Sequence, residues 1–122
     1  MDKKEKERLY SNVHPGWWDI LDKYVQQILT IAPDAEIYIK EKFGLLRLVA
    51  RSETIDWKKF MEIETAARLA SSTVCEWCGQ PGKLRTDSYW LQTLCDRCAH
   101  SREDRKLMNS IIEAAKNNWE NK

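Results

Sequence analysis

The sequence predicts an α+β fold, and three observations lead to this prediction. Apolar residues recur every three to four positions in three separate segments, a spacing typical of amphipathic helices. Between the first two segments, apolar and polar residues alternate on both sides of a Phe-Gly dipeptide, as in a β-hairpin. Two Cys-x2-Cys pairs then enclose a short region with turn residues. We expect a helix–β-hairpin–helix region, a cysteine-bearing hairpin and a C-terminal amphipathic helix.

The chain is expected to begin with a mobile tail or a frayed helical start over residues 1–12. This stretch is charged and has no sustained apolar stripe. The helix–hairpin–helix region is expected over residues 13–72, and its first helix runs from Trp17 to Ile31. Pro33 ends that helix, because proline lacks a backbone donor and clashes with the preceding turn.

The hairpin is predicted from strands over residues 35–42 and 45–52, joined by Phe43-Gly44. One face carries the aliphatic side chains to the core. The opposite face carries one aromatic and four cationic side chains, which we take as a candidate partner-binding face: Tyr38, Lys40, Lys42, Arg47 and Arg51. Such a face is either an ordinary solvated sheet surface or a docking site for an acidic protein surface or a phosphate backbone.

Two further helices complete the prediction. One runs from about Ile55 to Ser71, with Thr54 as its N-cap and an inward row formed by Phe60, Ile63, Ala67 and Ala70. The last runs from about Arg102 to Trp119, with Ser101 as its N-cap. It belongs to a cysteine-bearing lobe over residues 73–122, which we expect to form one compact unit with residues 13–72.

The cysteine pairs give the strongest indication of chemistry in the sequence. Cys75 and Cys78 are followed after sixteen residues by Cys95 and Cys98, a spacing typical of zinc sites. Two tight turns joined by a hairpin bring four thiolates to one tetrahedral ion, and such a closed site is structural. We predict one structural Zn²⁺ in a zinc-ribbon-like hairpin. His100, two residues after Cys98, could replace a ligand, but a position at the surface or beside the ligands is favoured because four cysteines are available. A redox pair, an iron–sulfur cluster or two disulfides fit the spacing and the expected compartment less well.

Charge and composition exclude several classes of protein. The formal net charge is +1, and four thiolates with one Zn²⁺ change it to −1, so binding of nucleic acid by bulk charge is not expected. No segment approaches the ~18 consecutive apolar residues of a membrane span. The N-terminus lacks the apolar region of a secretory signal. We expect a cytoplasmic protein with no membrane partner.

The sequence offers no catalytic constellation. HNH-type nucleases also combine two Cys-x2-Cys pairs with a hairpin and a helix, but they need a histidine base on the hairpin. No histidine lies between Cys78 and Cys95, where Asp87 stands alone, and only His100 follows the second pair. Nucleotide-binding and hydrolase motifs are also absent. We therefore expect a protein that is not an enzyme.

Four blocks of the sequence carry a resemblance to a family. They are Gly16-Trp17-Trp18 and the ranges 40–47, 75–85 and 90–98. With them the chain resembles a largely uncharacterised family of small zinc-ribbon-like proteins from bacteriophages and bacteria. The resemblance implies a zinc-ribbon-like module fused to a helix–hairpin–helix region and a phage-linked protein in the cytoplasm of a bacterial host. It implies no particular activity.

Together these observations predict a non-enzymatic, zinc-stabilised module that binds a protein partner. We expect it to act stoichiometrically on that partner, and the phage-linked resemblance leads us to expect a phage-encoded protein aimed at a host or defence component. Two alternatives stay open, namely a nucleic-acid-binding zinc-ribbon regulator and an unusual HNH-like nuclease.

Overall fold

The computed structural model describes residues 1–122 and confirms the α+β class. Five α-helices, one 3-10 turn (Pro15–Trp17) and two separate antiparallel hairpins make up the fold. None of these helices combines the length and the apolar content needed to cross a bilayer. The helices are α1 (Lys3–Tyr10), α2 (Trp18–Ile31), α3 (Trp57–Ser71), α4 (Asp96–His100) and α5 (Arg105–Glu120), and the strands are β1 (Glu36–Lys42), β2 (Leu45–Arg51), β3 (Lys83–Arg85) and β4 (Gln92–Leu94).

The β1–β2 hairpin has the predicted turn and the predicted inward face. Phe43 and Gly44 both have positive φ angles, 56° and 80°, which a two-residue hairpin turn of the favoured twist requires. Ile39 lies opposite Leu48 in the register, and both side chains are buried in the main hydrophobic core. The alternation of the sequence therefore predicted both the pairing and the side of the sheet that forms the core.

Helix α3 starts two residues later than predicted. Its N-cap is Asp56, whose side chain accepts the backbone N–H groups of Lys58 and Lys59, so the assignment of Thr54 is wrong. The Thr54 hydroxyl instead donates to Asp34 at 2.6 Å. Both Thr54 and Asp56 could have capped this helix, but Asp56 accepts the free backbone N–H groups of its first turn.

Two polar side chains on α3 lie in the buried row, which apolar periodicity alone did not predict. Glu64 accepts the N–H of Leu48 at 3.2 Å, and Ser71 accepts the N–H of Leu46 at 3.0 Å. These donors lie on the edge of β2 that faces away from β1. Helix α3 thus satisfies an exposed strand edge with side-chain oxygens, which blocks further strand pairing there.

The expected mobile tail is instead a helix packed on the core. Helix α1 ends at Tyr10, which is fully buried, and its hydroxyl donates to Asp22 of α2 at 2.8 Å. The indole N–H of Trp119, on α5, donates to the other oxygen of Asp22 at 3.0 Å. One carboxylate therefore joins both ends of the chain to α2, and the aromatic rings of Tyr10, Trp18 and Trp119 pack edge-to-face around it.

The last helix connects two hydrophobic clusters. It begins at Arg105 after the short helix α4, and its N-cap is Asp104, so the predicted start at Arg102 with Ser101 as cap is wrong. Ile111 belongs to a small cluster around the cysteines, whereas Trp119 belongs to the main core. The apolar side of this amphipathic helix therefore packs within one chain against both regions.

Candidate metal centre

The first cysteine pair lies on a tight turn at the base of the β3–β4 hairpin. The N–H of Gly79 donates to the carbonyl of Cys75 at 2.9 Å, and Gly79 has a positive φ of 82°. Glycine adopts this backbone conformation at no steric cost. The turn brings the thiol of Cys78 back towards that of Cys75.

The second pair lies at the start of α4. Cys95 is the N-cap of this helix, and its sulfur accepts the N–H of Cys98 at 3.4 Å. Burial of the Cys95 thiol opposes ionisation, but the N–H donated by Cys98 and the neighbouring thiols lower its pKa below the usual thiol value. At Cys95 the local fold therefore favours the thiolate form that a metal ligand must take, whereas burial raises the pKa of Cys78 and Cys98.

The four sulfur atoms converge as the sequence predicted. All lie within 4.8 Å of one another, and the Sγ atoms of Cys78 and Cys95 are 3.6 Å apart. In a tetrahedral site with metal–sulfur bonds of about 2.3 Å, neighbouring sulfurs are about 3.8 Å apart. A disulfide needs about 2.05 Å, and all four cysteines are free. The set can hold one metal ion, with four thiolates completing a tetrahedral shell.

One cation lies beside the cluster. Arg97 is exposed, and although partial desolvation opposes it, the charges of Cys98 and Cys78 raise its pKa further. The guanidinium offsets part of the negative charge that four thiolates and a divalent ion would carry. His100 is exposed at the end of α4 and does not belong to the converging set of ligand atoms.

The metal centre is joined to the main core through the backbone of its first turn. The N–H of Gly16 donates to the carbonyl of Glu76 at 3.0 Å, and the indole N–H of Trp17 donates to the carbonyl of Val74 at 2.8 Å. Glu76 itself is only 4% exposed. Desolvation raises its pKa to about 7.

The five residues of the candidate partner-binding face share one side of the β1–β2 hairpin, as their register requires. Part of that side is neutralised within the chain. Glu36 accepts the hydroxyl of Tyr38 at 2.9 Å and lies 3.8 Å from the guanidinium of Arg51. This end of the sheet therefore offers little net charge to a partner.

The opposite end of the same side keeps its positive charge. Lys40 and Lys42 are exposed and make no ion pair. Arg47 is partly drawn towards the buried Glu64, with 3.9 Å between its Nε and the carboxylate oxygen. The cationic part of the predicted face is thus concentrated near the β1–β2 turn.

An exposed group of large side chains lies beside this cationic end, and sequence reasoning missed it. We call it the aromatic edge, formed by Phe43, Leu84, Tyr89 and Trp90. Their exposed fractions are 67%, 40%, 99% and 64%. The two hairpins meet here, since Leu84 packs against Gly44 and the hydroxyl of Thr93 donates to the Gly44 carbonyl at 2.7 Å. The signal available in the sequence was the Tyr89-Trp90 dipeptide between the two cysteine pairs.

The residues considered for a nuclease centre are not brought together. Asp87 forms a 3.1 Å ion pair with Arg102. The cysteines form the only group of three or more histidine, cysteine or acidic side chains whose ligand atoms converge. The geometry at Asp87 thus ties the β3–β4 loop to the segment before α5.

No protein-family model, curated protein or solved structure matches this chain. Any inference about its function therefore starts from the fold and from the geometry of the cysteines.

Proposed function

We propose that this protein is a non-enzymatic binding module, that one structural Zn²⁺ stabilises it, and that it recognises a protein partner through the aromatic edge. Exposure of the edge is the observation that carries the proposal. Soluble proteins rarely leave several large aromatic side chains exposed together unless they contact another molecule. Trp and Tyr are also among the residues that contribute most to binding free energy at interfaces.

The metal supports this function by fixing the hairpin that presents the edge. Strands β3 and β4 have three residues each, too few for an independently stable hairpin. Zinc is the favoured ion because the donor set is four thiolates at structural zinc spacing. Metal analysis of protein purified without added metal should give one zinc per chain. Iron, or much less than one zinc, would contradict the assignment.

A protein partner fits the charges better than a nucleic acid does. Of the cations on the predicted partner-binding face, only Lys40 and Lys42 form no ion pair, and the metallated chain carries a formal net charge of −1. Arg85 and Arg102, which flank the β3–β4 loop, are both paired with aspartates. Two free lysines beside exposed aromatics match an apolar partner patch with an acidic rim. Because the chain resembles phage-linked proteins, we expect a host or defence component in that role.

The test is affinity purification from nuclease-treated host lysate with matched variants. Tyr89→Ala/Trp90→Ala should lose a partner that the wild-type protein retains. Trp57→Ala is the control, since Trp57 is 52% exposed on α3 and lies outside the edge. A partner retained equally by all three proteins would contradict the use of this surface. If the protein instead binds single-stranded nucleic acid in a salt-sensitive way, and the same double variant loses this binding, the partner is a nucleic acid and not a protein.

A further inference from the structure

A small cavity lies where the aromatic edge meets the main core. Its volume is about 180 Å³. Sites for drug-sized ligands are larger, about 300–1,000 Å³, so this cavity has room for one side-chain head group. Its polar and aromatic lining includes Asn12, His14, Glu41, Glu76, Trp90 and Gln92.

The lining has more negative than positive charge. Glu76 is 4% exposed and has no cation within 4.0 Å; it accepts the backbone N–H of Thr93 at 3.4 Å and a hydrogen bond from the Gln92 side chain. Glu41 also lacks an ion pair and accepts the N–H of Gly44 at 3.1 Å. Glu76 is a buried carboxylate, a group that is normally paired or bound to a metal, and Glu41 in the same cavity is half-buried. These two do not converge with a third ligand group, so a metal ion does not fit.

We infer that this cavity receives an arginine side chain of the protein partner. The inference rests on the proposed function and names the chemistry that the partner must supply. A guanidinium presents five donors in one plane, which suits two carboxylates and the amide oxygens of Asn12 and Gln92. The indole of Trp90 lines the same cavity and supplies an aromatic face on which a guanidinium stacks.

The position of the cavity makes it part of the same surface. Trp90 belongs both to the aromatic edge and to the cavity wall, and 64% of it is exposed. A partner that packs on the edge therefore has one side chain within reach of the opening. An apolar contact with one buried, charge-assisted anchor is a common arrangement at the centre of tight interfaces.

The probe for the cavity is N-acetyl-arginine methylamide, titrated into the zinc-loaded protein and followed by two-dimensional NMR. The Trp90 indole and Gln92 side-chain signals should shift, with a dissociation constant on the order of 10 mM or tighter. Glu76→Gln and Glu41→Gln should each weaken binding at least about tenfold, a loss typical of one charged partner. Glu62→Gln, an exposed acid on α3, should leave binding unchanged. The same spectra show whether each variant is folded.

Three outcomes would overturn the inference: no shift at the cavity, equal binding of the citrulline or lysine analogue, or equal binding by the variants and wild type. This result is separable from the fate of the proposed function. Arginine binding without an edge-dependent protein partner would reject the proposed function alone. An edge-dependent partner that Glu41→Gln and Glu76→Gln retain fully, with no arginine binding, would reject the cavity inference alone.

Discussion

The contact between Gly16 and the first cysteine turn offers a sharp test of how the metal centre depends on the core. A Cβ atom at position 16 would lie 2.2 Å from the carbonyl oxygen of Cys75 and 2.5 Å from the carbonyl carbon of Glu76. Ordinary contacts begin at 3.4 Å, and both atoms are backbone, so the turn must move by about 1 Å. The substitution Gly16→Ala therefore separates the core from the cysteine turn.

The expected cost has two contributions. Overpacking against a rigid neighbour costs about 1–3 kcal/mol, and strain on the bond from the Gly16 N–H to the Glu76 carbonyl adds about 0.5–1.5 kcal/mol. We expect Gly16→Ala to lower the free energy of unfolding by about 3 kcal/mol, a large share of the ~5–15 kcal/mol of a typical domain. At this chain length that corresponds to a fall in Tm of roughly 10–15 °C.

The assay combines urea denaturation with Co²⁺ titration, because thiolate-to-cobalt absorption reports the geometry of the metal centre. Gly16→Ala should lose stability and also weaken Co²⁺ binding. Gly79→Ala is the comparison. Its Cβ would lie 3.3 Å from the Gly16 carbonyl oxygen, a mild contact, so its cost comes mainly from a positive φ of 82° and should be partly relieved by Gly79→Asn. An alanine at position 16 that leaves both stability and Co²⁺ affinity within error of the wild type would refute the coupling between core and metal centre.

Three further predictions concern the metal, a buried acid and the joined termini. Cys75→Ser should abolish stoichiometric metal binding, and hydrogen exchange should then show β3–β4 amides unprotected while α2 amides stay protected. Because burial raises the pKa of Glu76 from 4.5 to about 7, the folded protein binds more protons than the unfolded chain in this range. The contribution of Glu76 to the free energy of unfolding should therefore fall by up to about 3 kcal/mol as pH rises from 4.5 to 7. The Glu76→Gln variant should not show this fall. Protonation of the cysteine thiolates changes stability with pH in the opposite direction, but it does so equally in both proteins. The difference between their unfolding free energies, measured by urea at each pH, therefore reports Glu76 alone. Parallel plots of unfolding free energy against pH for the two proteins would contradict the prediction. Asp22→Ala leaves the Tyr10 hydroxyl and Trp119 indole without their acceptor, and should cost about 3 kcal/mol in urea unfolding. A loss below 1 kcal/mol would show that water or relaxation replaces these bonds.

The elements with strong local signals were predictable from the sequence. The alternation around Phe43-Gly44 predicted the register and buried face of the first hairpin, because a period of two leaves only one side for the core. The spacing of the cysteines predicted the convergence of four sulfur atoms, because both pairs lie on turns built from neighbouring residues. In each case the interaction that decides the structure is short in range.

The features that were missed depend on contacts between distant segments. Helix α1 has a charged sequence. It packs on the core because the Tyr10 hydroxyl donates to Asp22 on α2 and the Tyr10 ring contacts the Trp119 ring on α5. Glu64 has no apolar signal, and it is buried because β2 leaves two N–H groups facing α3 and because Arg68 supplies a counter-charge. The spacing of hydrophobic residues cannot predict such hydrogen bonds and ion pairs between distant residues.

The aromatic edge is also a product of contacts between distant segments. Tyr89 and Trp90 belong to a short hairpin, whereas Phe43 belongs to another hairpin more than forty residues away. They become one surface only because Thr93 and Leu84 hold the two hairpins together at Gly44. A Cβ at Gly44 would lie 2.6 Å from Leu84, and a residue there must also adopt a positive φ, so the junction tolerates little beyond glycine. If the edge is the binding surface, Gly44→Ala should weaken partner binding by misplacing Phe43 relative to Trp90, although it changes no side chain that a partner would contact.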